Sequence, residues 1–315
     1  MRSLFALPHA EVRMLLRSGA PVYLPVNPVE YHGPHLPLLT DGLICEGLIE
    51  DLHARLVGGS TDAPPLVAPD LRIGVGPTPG PGSRPVAYGL VRSMVVDACR
   101  ALLELGAQRV VLMTFHGHPL HCLAVEAGAR HLRRRGVPAL TPFHVALREM
   151  IEMDPNRYAA ALAHVEDPRE REEMLAGLGR DFHAGFLETS LLLYYAPEAV
   201  SPAHRSLPPC PMPVPHRGLS ALARLATRLG RPALARELEY GAYALGWYRL
   251  RPFPGYTGWP HRAAASAGRL LAELIAERSA DLVVEFFAGR APAPRPIMTW
   301  LAVTSLGGRL GKPPV

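Results

Sequence analysis

The chain has 315 residues, 48% of them hydrophobic and 19% charged, a composition that supports a large buried core and excludes a disordered chain. Its net charge of +5 rests on scattered arginines, with Lys312 the only lysine, and with no recognition motif this argues against a nucleic-acid partner. No apolar run reaches the ~20 residues that span a bilayer and the N-terminal MRSLFALPHAEVRMLL lacks a signal-peptide core, so the expectation is a cytoplasmic protein with no membrane attachment.

Apolar runs rich in β-branched residues alternate with longer helical periods. Residues 22–26 read as a strand, and 42–56 as a helix with apolar positions at Leu43, Ile44, Leu48, Ile49 and Leu52. A second strand is expected at 66–73. A long helix over 86–105 stops at Gly106, a residue suited to the position after a helix. The run RVVLM at 109–113 reads as a buried strand, followed by a helix at 120–134. Residues 139–143 form a further strand, which Pro142 confines to a sheet edge. This order predicts an α/β fold, three layers with a mostly parallel sheet between helices.

Further on, helices are expected at 168–178 and 185–195, two short ones within 219–244 broken near Gly230–Pro232, and a long one at 260–278. Residues 282–287 read as a last strand. The proline-rich stretch 201–217 resists regular structure; with Trp247, Tyr248 and Trp259 it suits either a lid over a pocket or an oligomer contact. The simplest organisation is one domain over 1–290 with an insertion at about 200–250, then a loose tail over 291–315. Cys45, Cys99, Cys122 and Cys210 form no C-x-x-C pair, which excludes a disulfide framework or zinc ribbon.

Three stretches carry chemistry. The first, VEYHGPHLPLLTD at 29–41, follows the first long strand. In extended chain Glu30 and His32 share a face, their backbones roughly 6.5–7 Å apart. Asp41 stands where a helix begins, as a cap or as something more. The second, VVLMTFHGHPLHC at 110–122, runs a buried strand into His116, Gly117 and His118. The third, RDFHAGFLETSLLLYYA at 180–196, places His183 before a helix whose first turns hold Glu188, Thr189 and Ser190. Ligands bind at the carboxyl ends of strands in open α/β sheets. Oxygen and nitrogen donors without thiolates suit Zn²⁺ or Mn²⁺, and a nearby histidine can carry a proton. The G-x-G of Gly74–Gly80 imitates a dinucleotide loop, but its prolines withhold the N–H donors that a phosphate needs.

The motif Glu30-Tyr-His32-Gly-Pro-His35-Leu-Pro-Leu-Leu-Thr-Asp41 resembles the signature of the creatininase (creatinine amidohydrolase) family. The likeness extends over most of 20–145 and 180–195 and resumes at GYTGWPHRAAASAG, 255–268. It implies that Glu30, His32 and Asp41 are metal ligands, Asp41 bridging, with His116 a further ligand. The family's N-G-H-G-G-N reads Thr114-Phe115-His116-Gly117-His118-Pro119 here, losing both asparagines, and this makes creatinine itself an unsuitable substrate. Glu188 of H-A-G-x-x-E-T-S is then the remaining acidic ligand, His118 a ligand or substrate contact, and His183 the catalytic acid/base. The resemblance implies two Zn²⁺ or Mn²⁺ per chain and a homo-oligomer, hexamer or dimer. The implied activity is hydrolysis of a C–N bond of a small molecule or peptide by metal-activated water. The alternatives are a non-catalytic binding scaffold, or a biosynthetic hydrolase or lyase acting on another bond.

Overall fold

A computed structural model describes residues 1–59, 64–152 and 154–309. In chain order its elements are β1 (Arg2–Ser3), α1 (His9–Arg17), β2 (Val22–Pro25), α2 (Thr40–Leu56), β3 (Leu66–Val67), α3 (Tyr88–Leu105), β4 (Val110–Met113), α4 (Pro119–Arg133), β5 (Ala139–Leu140) and α5 (Phe143–Glu152). The helices α6 (Pro155–Tyr158), α7 (Pro168–Gly177), α8 (Phe186–Tyr195), α9 (Arg217–Arg228), α10 (Pro232–Trp247), α11 (Ala265–Phe287) and α12 (Leu301–Thr304) follow, with short 3-10 turns between them.

The strands make a five-stranded sheet in the order β1-β3-β2-β4-β5, and every pairing is parallel. β2 and β4 lie at its centre, Val22 facing Val110 and Pro25 facing Met113. Side chains of a strand alternate between faces, and both faces here are covered. Val22, Leu24, Val110 and Leu112 belong to one core with residues of α1, α3 and α4. Tyr23, Val111 and Met113 belong to another with α2, α5, α8 and α11. That is the three-layer α/β/α arrangement, and it explains why these strands read as continuous apolar runs.

Local punctuation sets the boundaries. Gly106 closes α3 at φ +94°, a conformation that costs glycine little. Gly230 at φ +68° and Pro232 in the first turn of α10 break α9 from α10, as the sequence indicates. The strand expected over 66–73 narrows to Leu66–Val67, because Pro69 has no N–H to give and Arg72 sits at φ +46°. β5 takes the edge position expected for it, but Phe143 opens α5, an unforeseen helix, as is α1.

The strand expected at 282–287 is the end of α11, which runs unbroken from Ala265. No glycine or proline interrupts the chain there, and Ala272, Ala276, Ala280 and Val283 continue one buried helical stripe. Beyond α11, Ile297 and Met298 are buried in the same core. The Met298 amide and the Trp300 indole both donate to Glu237, so the chain at 298–300 is tied to α10. Residues 310–315, also expected to be loose, lie outside the described residues.

Candidate metal centre

The three chemistry-bearing stretches converge at the carboxyl ends of β2 and β4. Glu30 and His32 leave β2 in a loop that turns at Gly33, φ +66°, while Asp41 lies in the first turn of α2. His116 follows β4. His183 precedes α8, and Glu188 lies in that helix's first turn. All six side chains are buried. The turn before α8 is held by Ala184, at φ +47°, whose amide donates to Glu188 Oε2 at 2.5 Å. The loop from Gly74 closes the other side, with the Thr78 amide donating to Glu30 Oε1 at 2.6 Å.

Three histidines share one device. His32 Nδ1 donates to the Glu30 carbonyl at 3.0 Å, His116 Nε2 to the Val75 carbonyl at 3.0 Å and His183 Nε2 to the Tyr31 carbonyl at 2.8 Å. A carbonyl can only accept, so each bond sets the tautomer and leaves the opposite ring nitrogen with a lone pair. Those lone pairs all face carboxylates. His116 Nδ1 is 2.8 Å from Glu30 Oε2 and 3.6 Å from Asp41 Oδ2. His32 Nε2 is 3.4 Å from Asp41 Oδ1 and 3.7 Å from Glu188 Oε2. His183 Nδ1 is 3.7 Å from Glu30 Oε1.

Glu30 Oε2, His32 Nε2 and Asp41 Oδ2 are buried without a hydrogen-bond partner. Acceptors aimed at acceptors repel one another unless a cation lies between them. Among the described residues, three overlapping groups could hold a metal ion: Glu30–Asp41–His116, His32–Asp41–Glu188 and Glu30–His32–His183. The donor set, imidazole and carboxylate, fits a zinc- or manganese-like ion.

The electrostatics show the same demand for positive charge. Burial alone would raise Glu30, but the imidazoles of His116, His183 and His32 hold it well below the usual carboxylate range. Burial lowers His32 and His116, and the carboxylates more than reverse it: Asp41 and Glu188 bring His32 to about 10, and Glu30 brings His116 to about 9. Burial dominates at Glu188, pushing it up to about 8, and raises Asp41 as well. At His183 burial and the neighbouring His32 act together, lowering it to about 3. Protons on His32 and His116 thus compete with any metal cation for the same lone pairs.

The model of the creatininase family, described as creatinine amidohydrolase, matches residues 6–283. This chain belongs to the creatininase family. A mycofactocin precursor peptide peptidase of Mycobacterium ulcerans (strain Agy99) is 29% identical over 188 residues, 57% of this chain and 60% of that relative's length. The alignment therefore spans less than two thirds of the relative. Among solved structures, a creatininase described with Mn superposes with a TM-score of 0.57 at 20% identity, covering 90% of this chain and 98% of its own. A mutant creatininase of Zn-Zn type gives the same TM-score, identity and coverage. These likenesses establish the shared fold.

Within this creatininase-family chain, Glu30, His32, Asp41, His116, His183 and Glu188 all meet in one cluster. His118 stands outside the three groups. Its ring stacks parallel on His116 at 6.1 Å between centroids, wedged against Gly76, where any Cβ would collide with it. The G-x-G loop is a wall of the site, gripping His116 through Val75 and Glu30 through Thr78. Trp247 is fully buried with its ring 5.4 Å from His183 and its indole N–H bonded to the Tyr256 carbonyl. Trp259 packs instead against Gly177 at the end of α7.

Sequence reasoning missed the supports. Asn27 Oδ1 accepts from the Phe115 amide at 3.0 Å, and Asp70 accepts from the Asn27 amide at 3.2 Å. This chain ties the ends of β2 and β4 together directly before His116. His121, buried in α4, packs edge-on against His116 at 5.0 Å. A polar residue at the carboxyl end of a strand was the available signal for Asn27. For His121 only the packing reveals it.

Proposed function

We propose that this chain is a metal-dependent amidohydrolase that cleaves a C–N bond of a small molecule or peptide. The observation that carries this reading is the set of three tautomer-locked histidines whose lone pairs face three buried carboxylates. Glu30, Asp41 and His116 would hold one divalent ion, and His32, Asp41 and Glu188 would hold a second. Asp41 is suited to bridging because its two oxygens face different histidines, Oδ2 toward His116 and Oδ1 toward His32. When bound, such ions acidify water and polarise a carbonyl. The Mn and Zn-Zn descriptions of the structural neighbours support zinc or manganese, and the peptidase relative supports an amide substrate.

The chain's own residues contribute position and proton transfer. His183 is oriented by Tyr31 and walled by Trp247, so its Nδ1 stays aimed into the cluster. A neutral His183 would take a proton from the attacking water at Nδ1 and, its basicity lowered, pass it to the departing nitrogen. Trp247 and the Gly74–Ser83 loop shield the reacting bond from bulk water. His118, beside His116, is placed to touch substrate rather than to bind metal.

No helix among the described residues is long and apolar enough to cross a membrane. The free cysteines 45, 99, 122 and 210 support a reducing, cytoplasmic setting. A homo-oligomer is supported by α9, which exposes Leu222 and Leu225, with Leu229 directly after it.

The test is metal content per chain, measured on protein purified without added metal beside the His32→Ala/Asp41→Ala double variant, followed by a screen of cyclic amides, formamides and peptides. About two ions in the wild type, lost in the variant, with turnover of an amide, is the expected result. Metal uptake without turnover across amides would replace this reading with a binding scaffold.

A further inference from the structure

Arginine is spread through this chain, but acid is not. From 199 to 272 there are ten arginines and two acidic residues, Glu237 and Glu239, although the whole chain holds 28 aspartates and glutamates. Glu237 is committed to the Met298 amide and the Trp300 indole. At the far end of this segment Arg262 and Arg269 find glutamates, each at 2.6 Å. Arg217, Arg224 and Arg228 of α9 do not. All three are exposed, and their guanidinium groups have no ion-pair or hydrogen-bond partner among the described residues.

Beside that row runs a second. Leu222 and Leu225, with Leu229 directly after the helix, are 51%, 50% and 66% exposed. Helical spacing sets the three arginines on one line and the three leucines on the next. The remaining face of α9 is already used, since Ala223 and Ala226 pack with Ala235 and Leu238 of α10. α10 ends at Trp247, whose ring lies against His183. One helix of this hairpin therefore walls the metal centre, while the other presents arginines and leucines to the outside.

We propose that this face of α9 docks an acidic amphipathic helix of a partner polypeptide, with apolar side chains on the leucine row and carboxylates on the arginine row. Apolar anchors repeating at three- and four-residue intervals suit the leucines, and carboxylates accept from guanidinium in paired bonds. Opposite charge also selects the partner and speeds its arrival. The leucines alone would suit a second copy as well; the arginines beside them decide. Two copies pairing through α9 itself would set arginines against arginines. A nucleic acid would meet the arginines and leave the leucines in water. A bilayer-bound helix turns its broad apolar face and aromatic anchors to the lipid. Here that face is packed on α10, and no phenylalanine, tryptophan or tyrosine occurs between Tyr195 and Tyr240. The inference is independent of what the metal centre cuts.

The test uses the whole protein and a fluorescein-labelled peptide of about 18 residues, with leucines and glutamates on opposite helical faces. One control peptide has the same residues in scrambled order, and another has lysine for every glutamate. We expect the acidic amphipathic peptide to bind at least about tenfold tighter than either control. That advantage should be lost both in Arg224→Glu/Arg228→Glu and in Leu222→Ser/Leu225→Ser. These positions are exposed, so thermal unfolding and metal content should match the wild type. Equal binding of the scrambled peptide, or loss in the arginine variant alone, would mean attraction by charge without docking and overturns the proposal. Vesicles of phosphatidylcholine and phosphatidylserine are offered in parallel, and sedimentation is run on the protein alone. Leucine-dependent vesicle binding would assign the face to a lipid surface, and leucine-dependent self-association to a second copy. Either result also overturns the proposal.

Discussion

Two buried clusters of glutamate and histidine lie in this molecule, and they are solved differently. In the first, Glu126 of α4 is buried with His144 of α5, whose Nε2 is 3.7 Å away. There the protein supplies its own cation: Arg133, one end of whose guanidinium is 2.5 Å from Glu126 while the other donates to the Ala139 carbonyl at 2.7 Å. In spite of burial, His144 and Arg133 keep Glu126 below its ordinary value, while burial lowers His144. In the second, around Asp41, no arginine among the described residues lies within ion-pair distance of Glu30, Asp41 or Glu188, and their ion-pair partners are histidines. A buried carboxylate must be paired or neutralised. One cluster is a structural ion pair; the other is built to take its positive charge from outside.

The comparison breaks most visibly at Asp41. Asp41→Asn keeps the shape but removes the charge shared by two histidines, and we expect metal content to fall to one ion or fewer and hydrolysis to drop by about 10³-fold or more. Elemental analysis beside an amide-hydrolysis assay checks it, and retention of two ions would place the metals elsewhere.

Arg133→Met attacks the other cluster. It should cost about 3 kcal/mol of folding stability, because Glu126 is left buried without its cation, while metal content stays the same. Urea unfolding measures the first and elemental analysis the second. Adding Glu126→Gln should recover part of the loss. A stability change below about 0.5 kcal/mol would mean that Glu126 is solvated.

Asn27→Ala leaves both sets of charges intact and removes only the tie between the ends of β2 and β4. Metal affinity should weaken by about 10–100-fold, the usual consequence of losing a group that orients a ligand. Competition with a chelator would detect it.

The second cluster also makes metal binding depend on pH. His32 and His116 are raised to about 10 and about 9, so metal-free protein carries protons there at neutral pH that metal must displace. Apparent metal affinity should therefore rise with pH from about 7 toward 9–10, by up to about tenfold per unit for each proton released. Calorimetry in buffers of different ionisation enthalpy counts those protons. For stability the sign follows from the same shifts. The raised histidines stabilise metal-free protein fully below their unfolded value near 6.5, and that contribution fades as pH rises through 9–10. Metal-loaded protein should show no such fade. Glu126, lowered instead, contributes above its unfolded value and loses that contribution as acid titrates it.

Much of this was legible in one dimension, for identifiable reasons. The apolar runs at 22–26 and 110–113 are buried on both faces, and only parallel central strands need that pattern. Glycine and proline mark the break between α9 and α10 because each restricts the backbone locally. The 282–287 run misled because five apolar residues around Glu285 suit a strand and a buried helix alike, and only the absence of a breaker before it distinguishes them. At the site, Glu30, His32 and Asp41 could be named together because they are close in sequence. Asn27 could not, because its role is a contact with Phe115, 88 residues distant.

The sequence by itself determined the donor types, their placement after strands and the alternation of layers, since these depend on residue chemistry and short-range periodicity. Only the tertiary structure decided which nitrogen of each histidine faces the carboxylates, that Asp41 turns one oxygen to His116 and the other to His32, and that His118 stands aside. Those outcomes depend on the carbonyls of Glu30, Tyr31 and Val75, which carry no side-chain signal. They become partners only when separate strand ends and loops are brought within hydrogen-bonding distance of one another.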